Sequence, residues 1–231
     1  YQQSSKSSPA LQEKDPANRL LARAPRFRLP SWMIRDQALA VSGLLVDKLG
    51  GPPVKGYQPS GVWEDATFGK IRYEEDKGEA LYRRSVYQFW RRIVGPTVFF
   101  DVANRQTCSV KSSRTNTPLH ALTTLNDVTY VEASRAWAER LLKSEAATPE
   151  AKVKLAYQQL LSREPSVAEE QVLLNAFEEL RAKYKTDSEG AKKLLAIGAS
   201  PRDEKLELTE HAALTALCNL LLNLDETLSK E

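Results

Sequence analysis

The side chains best suited to binding or catalysis are concentrated in one polar segment, which runs from Asp101 to Asp127. It gathers basic, thiol, hydroxyl, amide and acidic groups: Asp101, Arg105, Cys108, Lys111, Arg114, Thr115, Asn116, Asn126 and Asp127. Guanidinium groups bind carboxylate, sulfate or phosphate through paired hydrogen bonds. Thr115–Pro118 predicts a helix start, where free backbone N–H groups also favour an anion. The segment therefore predicts an anion-binding surface. The alternative is that Arg105 and Arg114 pair internally with Asp101 and Asp127 and hold the loop in place.

The two cysteines, Cys108 and Cys218, indicate neither a metal site nor a haem site. Zinc ribbons, iron–sulfur clusters and covalent haem require clustered thiols or a C-x-x-C-H run, which the sequence lacks. We therefore expect no metal and no cofactor in this chain. Basic neighbours would favour a Cys108 thiolate, but its spacing to His120 matches no known catalytic dyad. A Cys108–Cys218 disulfide stays open, although the apolar stretch LTALCNLLLNL favours a buried free thiol at Cys218.

A second candidate site is the aromatic loop over residues 51–78. The loop carries four aromatic rings and two adjacent carboxylates: Tyr57, Trp63, Phe68, Tyr73, Glu64 and Asp65. Exposed rings could stack on sugars, and paired carboxylates are typical of glycoside hydrolysis, although adjacent carboxylates usually point apart. The alternative is an ordered loop packed on its own side chains, chiefly Tyr57, Val62, Trp63 and Phe68. Tyr57 and Trp63 are the binding candidates from this loop.

Hydrophobic periodicity and capping residues predict that mainly helices position these segments. Asp15-Pro16 is a helix start signal in a polar arm, and Ser31 caps a helix that ends at Gly50-Gly51-Pro52. Helical spacing over 80–94 predicts another helix, and TVFFDV over 97–102 predicts a short strand. Further helices are expected to start at Asp127, Thr148-Pro149, Ser166 and Ser188. The last helix, TEHAALTALCNLLLNL, is apolar on most sides and is expected in the core.

The predicted fold class is mostly α, an irregular helical domain with a long ordered Gly/Pro/aromatic loop and at most a short strand or two. We expect an arm over 1–30 and a helical domain over 31–231, subdivided near residue 118 by charge. Residues 1–118 hold 19 basic and 11 acidic side chains (+8), and residues 119–231 hold 14 and 19 (−5), which sum to +3. No nucleic-acid-binding pattern is present, and no apolar run approaches the ~18 residues of a membrane span.

Several blocks of this sequence resemble one known family, the planctomycete-type cytochrome c domain proteins, in their C-terminal domain. The central block is NRQTCSVKSSRTNTPLHALTTLND, with Arg105, Cys108, Arg114 to Pro118 and Leu125 to Asp127. Other matching blocks are YQQSS, DPANRLLARAPRFRL, MIRDQALAVSGLL, GGPPVKGYQPSGVWE, LYRRSVYQFWRR and LLLNLDETLSKE. His120 stands where the resemblance leads us to expect glutamine.

The resemblance implies a longer exported protein, in the periplasm or outside the cell, with a signal peptide, a haem c module and another domain upstream. The start at Tyr1, without an initiator Met, agrees with such a precursor. The resemblance also implies a link to polysaccharide breakdown, but no catalytic residue. We expect a non-haem module of a redox-linked protein, with a polar surface at 101–127 that binds an anion, an acidic or complex glycan, or the upstream domains. The alternatives are part of a carbohydrate-degrading active site, or a structural scaffold.

Overall fold

The computed structural model describes residues 3–91, 94–102, 110 and 115–230, and within them the fold is mostly α, as predicted. The two strands are β1 Phe27–Arg28 and β2 Ser229–Lys230, which pair antiparallel. The α-helices are α1 Pro9–Lys14, α2 Ser31–Ser42, α3 Val62–Ala66, α4 Pro118–Asn126, α5 Val128–Leu142, α6 Pro149–Leu161, α7 Val167–Thr186, α8 Ser188–Leu195, α9 Leu208–Leu222 and α10 Asp225–Leu228. No helix in these ranges is long and apolar enough to cross a membrane.

Helix α9 lies at the centre of the core, which confirms the prediction from its composition. It packs against α5, α7 and α8, and α2 packs against α5. Leu214, Leu217 and Leu221 are completely buried, and each such leucine contributes roughly 1.5–3 kcal/mol relative to an exposed one. Cys218 is a buried free thiol on the same helix, as expected, and burial raises its pKa well above the usual value. Cys108 lies outside the described residues.

The predicted helix starts after residue 126 are confirmed by their capping bonds. The Asp127 carboxylate accepts a hydrogen bond from Thr129 N at 2.9 Å, and the Thr148 hydroxyl accepts one from Ala151 N at 3.2 Å. Ser166 and Glu169 form a reciprocal capping box at the start of α7. Helix α8 begins at Ser188, as predicted, but its N-cap is Asp187. These starts depend on contacts two or three residues apart, which a sequence displays directly.

The helix predicted over 80–94 is wrong for the described residues of that range. Residues Gly78–Tyr82 and Ser85–Tyr87 form short 3-10 turns joined by extended chain. The reason is that a buried arginine binds this stretch. Arg35 donates hydrogen bonds to the Leu81 and Arg83 carbonyls at 2.8 and 2.9 Å. A carbonyl that accepts from a guanidinium is held by tertiary structure, and this overrides the local helical preference.

The strand predicted over 97–102 is also wrong, because the chain forms turns there. The Phe99 N–H donates to the Pro96 carbonyl at 3.0 Å, and Val98 and Phe99 are buried in the core. Asp101 accepts from Ser31 N at 3.0 Å and from the Ser31 hydroxyl. Asp101 therefore caps α2 from a distant part of the chain, whereas the Ser31 side chain was expected to do so.

Two further helix boundaries differ from the predictions. Helix α2 ends at Ser42, and Gly43 adopts the left-handed conformation at φ +78°, well before the predicted stop at Gly50. Asp15-Pro16 does not start a helix; it follows α1, which begins after Ser8. The Asp15 carboxylate accepts from Arg19 N at 2.8 Å and Leu20 N at 2.7 Å, which closes a turn.

Candidate functional site

The structure brings three predicted binding residues, Tyr57, Asn126 and Asp127, into one open cleft of about 590 Å³. We call it the Asp127 cleft. The aromatic loop forms one wall, the α4–α5 junction forms another, and the chain after α8 closes it at Gly198 and Ala199. Its other lining residues are Gln58, Pro59, Glu75 and Val128. The cleft is within the size range of small-molecule sites.

The α4–α5 junction presents Asn126 and Asp127 because one residue both ends α4 and begins α5. Asp127 N donates to the Thr123 carbonyl at 2.9 Å, while the Asp127 carboxylate caps Thr129 N. The Asn126 amide nitrogen donates to the Leu122 carbonyl at 2.8 Å. Burial raises the pKa of the Asp127 carboxyl, and the Thr129 N–H and the positive charge of Arg35 oppose that rise. The junction therefore supplies hydrogen-bond acceptors to the cleft.

Tyr57 is held in the cleft wall by a buried carboxylate. Its hydroxyl donates to Glu132 Oε2 at 2.9 Å and accepts from Ala199 N at 2.9 Å. Glu132 is completely buried, and its Oε1 also accepts from the Tyr82 hydroxyl at 2.9 Å and from Ser200 N at 2.6 Å. Burial and the Glu132 charge raise the pKa of Tyr57 far above normal, so this phenol stays neutral. The single Tyr57 proton is donated to Glu132, so toward a ligand this hydroxyl can only accept a hydrogen bond, and it cannot act as a base.

Glycine at position 198 is required by this network. Its φ is +92°, and a Cβ built there would lie 2.3 Å from the Glu132 carboxyl carbon. Any side chain would displace either the carboxylate or the backbone. The close approach lets Ala199 N reach Tyr57 and lets Ser200 N reach Glu132, so the third wall of the cleft is fixed by the same carboxylate.

The remaining polar groups make the cleft rich in oxygen acceptors. Gln58 accepts from Trp63 Nε1 at 2.6 Å, and its own Nε2 is buried without a hydrogen-bond partner among the described residues. Glu75 is exposed at the rim. With Asp127, it gives the lining two carboxylates, and no basic side chain lines the cleft among the residues that the structure describes. Pro59, Val128 and Ala199 add apolar surface. Such a lining suits a ligand with many hydroxyl donors better than an anion.

Trp63 does not contribute to the cleft, and its proposed role in sugar stacking is wrong. It is 2 % exposed and stacks on Tyr73 and Phe89 with ring centroids 5.3 and 5.7 Å apart. Tyr73 belongs to the aromatic loop and Phe89 follows it in the chain, so the loop packs partly on its own side chains, as the alternative predicted, and partly on Phe89. Phe68, expected to share this packing, is instead 93 % exposed.

The other predicted site residues do not join the cleft. Thr115 and Asn116 precede α4, whose length separates them from Asn126 by about 12 Å or more at the rise of an α-helix. The Thr115 carbonyl accepts from Arg28 Nη1 at 2.8 Å. Arg105, Cys108 and Arg114 lie outside the described residues, so the anion site that depends on them stays a prediction. Within the described ranges, no three acidic, histidine or cysteine side chains come together as metal ligands.

Sequence reasoning did not select Gln58, Glu75, Glu132 or Gly198. The sequence contains one signal that could have selected Glu132. Arg135 follows it three residues later, on a helix whose other positions are mostly apolar. A carboxylate and a guanidinium at that spacing in a buried helix indicate a buried network. Gln58 and Glu75 carry no such signal, since polar residues in a loop are ordinary.

Comparison with known proteins gives one match. No curated protein and no solved structure matches the chain. Residues 1–177 of the 231 match a family described as PSD1, protein of unknown function (DUF1553), and the match ends within α7 although the core continues through α9. Since it covers most of the sequence, the chain belongs to the PSD1 family.

Proposed function

We propose that this chain is a non-haem binding module of a larger exported, redox-linked protein, and that the Asp127 cleft binds a hydroxyl-rich glycan. The observation that carries the proposal is the convergence of Tyr57, Asn126 and Asp127 in one cleft of about 590 Å³. Export, the haem module upstream and the link to polysaccharides rest on the family resemblance alone.

The chemistry of the lining supports a neutral glycan over an anion. Sugar hydroxyls donate hydrogen bonds, and the Asp127 carboxylate, the Glu75 carboxylate and the Asn126 amide oxygen can accept them. Pro59 and Val128 provide apolar contact for the C–H faces of a sugar. Two carboxylates would repel a sulfated or uronic glycan at this position. The neutral glycan is therefore the ligand that the described residues favour.

Calorimetric titration of the chain with neutral and sulfated oligosaccharides tests the proposal. Glu75→Gln and Asp127→Asn should each weaken binding of the neutral sugar by about tenfold, the effect of losing about 1.4 kcal/mol. Asparagine caps a helix as well as aspartate does, so Asp127→Asn should keep α5 intact. The matched control is Glu74→Gln, an exposed neighbour that does not line the cleft. Equal losses in Glu74→Gln and Glu75→Gln, or binding of sulfated sugars alone, would refute the proposal.

A second candidate function, hydrolysis of the bound glycan, is favoured by the two carboxylates in different environments. Burial raises the pKa of Asp127, as a general acid requires, while Glu75 is exposed and could activate water. Turnover that both Asp127→Asn and Glu75→Gln abolish would establish it. Binding without turnover supports the binding module. If the chain shows no binding and no turnover, the docking and scaffold roles remain, and they would be tested with the upstream domains present.

A further inference from the structure

A second cleft encloses about 300 Å³ beside the start of α2, and none of the described residues that line it also lines the Asp127 cleft. We call it the Arg84 cleft. Three of its residues are aromatic and four are polar or charged: Trp32, Trp90, Phe99, Asp36, Arg84, Ser85 and Gln88. Aromatic walls with a few converging polar groups are typical of small-molecule sites, and this volume accommodates one ring with its substituents.

The aromatic walls are partly exposed and rigidly held. Trp32 lies in the first turn of α2 and is 43 % exposed. Trp90 packs on Phe99 with ring centroids 5.9 Å apart, and a Cβ at Gly95 would lie 3.0 Å from the Trp90 ring. That close approach by the Gly95 backbone fixes the orientation of Trp90. The walls therefore suit a flat ring, either aromatic or a pyranose with an apolar face.

The charges around the cleft leave one guanidinium available. Asp36 accepts from Ser85 N at 2.8 Å and lies 3.7 Å from the buried guanidinium of Arg35. Arg84 Nε is 3.5 Å from the other oxygen of Asp36, and the Arg84 side chain is about half exposed. The buried Arg35 guanidinium also interacts with the Asp127 carboxylate, so Arg84 is the closest partner left for the second oxygen of Asp36. The Arg84 side chain lies half exposed in the cleft lining, where it would attract the carboxylate of a ligand.

We propose that the Arg84 cleft binds a small carboxylic acid that carries a flat ring. The ring would lie against Trp32 and Phe99, and the carboxylate would pair with Arg84. A uronic acid and an aromatic acid both have this chemistry. The site requires no part of the Asp127 cleft, so the two proposals stand or fall separately.

Titration of the 231-residue chain with two acid and neutral pairs tests the proposal: glucuronate against glucose, and benzoate against benzyl alcohol. Calorimetry measures affinity, and quenching of tryptophan fluorescence reports contact with Trp32 or Trp90. At least one acid should bind tenfold or more tightly than its neutral partner, because a hydrogen bond between two charged groups is stronger than one to a neutral hydroxyl. The pair that shows the preference identifies the source of the ring.

Variants locate the effect. Arg84→Gln should remove the preference for the acid, whereas Arg72→Gln, an exposed arginine that does not line the cleft, should leave it unchanged. If Arg84→Gln lowers the melting temperature, Arg84→Lys keeps the charge and must keep the preference. Equal affinity for acid and neutral ligands, no binding of either acid, or a preference that survives Arg84→Gln would overturn the proposal.

Discussion

Replacement of Glu132 by alanine tests whether one buried carboxylate holds the walls of the Asp127 cleft together. The change leaves three donors without their acceptor: the buried Tyr82 hydroxyl and the partly buried Tyr57 hydroxyl and Ser200 N. Arg135 keeps its bonds to the carbonyls of Leu195 and Ser200. Removing one partner of a buried charged network typically costs about 3–5 kcal/mol, and three orphaned donors at roughly 1–3 kcal/mol each are consistent with that range.

Urea unfolding followed by circular dichroism measures the loss. We expect the free energy of unfolding to fall by about 4 kcal/mol with an unchanged m-value, and the melting temperature to fall by roughly 8–16 °C for a chain of this length. Tyr57→Phe completes a double-mutant cycle with Glu132→Ala. It should lower the free energy of unfolding less in the Glu132→Ala background than in the parent protein. A loss below about 1 kcal/mol, or strictly additive costs, would show that Glu132 does not organise these walls.

Three further predictions concern Gly198, Cys218 and Glu169. Gly198→Ala should destabilise the fold by about 3 kcal/mol, from left-handed strain and overpacking, and a melting temperature equal to the parent's would contradict it. In a Cys108→Ser background, Cys218 should react with a thiol reagent only as fast as the protein unfolds, because burial raises its pKa and blocks access; rapid labelling of the folded chain would disprove this. The pKa of Glu169 is lowered chiefly by its bond to Arg163, so its stabilising effect is present above the unfolded pKa and is lost as the pH falls through the folded value. Glu169→Gln should therefore make the free energy of unfolding fall less steeply below about pH 4. If urea unfolding at several pH values shows the same fall in the variant and the parent, Glu169 and Arg163 do not stabilise the fold as a pair.

Local sequence patterns were sufficient to predict where the helices after residue 126 begin and which of them is buried. Asp127, Thr148 and the Ser166–Glu169 capping box start their helices through bonds that span two or three residues. The apolar composition of α9 likewise required burial, and with it a buried free Cys218. Local capping and composition act within one turn or one helix, so a sequence displays them in full.

Contacts between distant parts of the chain set the conformation of residues 80–91 and 97–102. Such contacts also determine which residues line the candidate site. Helical spacing at 80–94 did not produce a helix because Arg35, more than forty residues away, binds the carbonyls there. Likewise, the aromatic run at 97–102 forms turns while Asp101 caps α2, seventy residues earlier in the chain. Tyr57 meets Asn126 and Asp127 because its hydroxyl bonds to Glu132, 75 residues along the chain. Such pairings depend on which distant groups are brought together and buried, and burial is what makes an unpaired donor or charge costly enough to override a local preference.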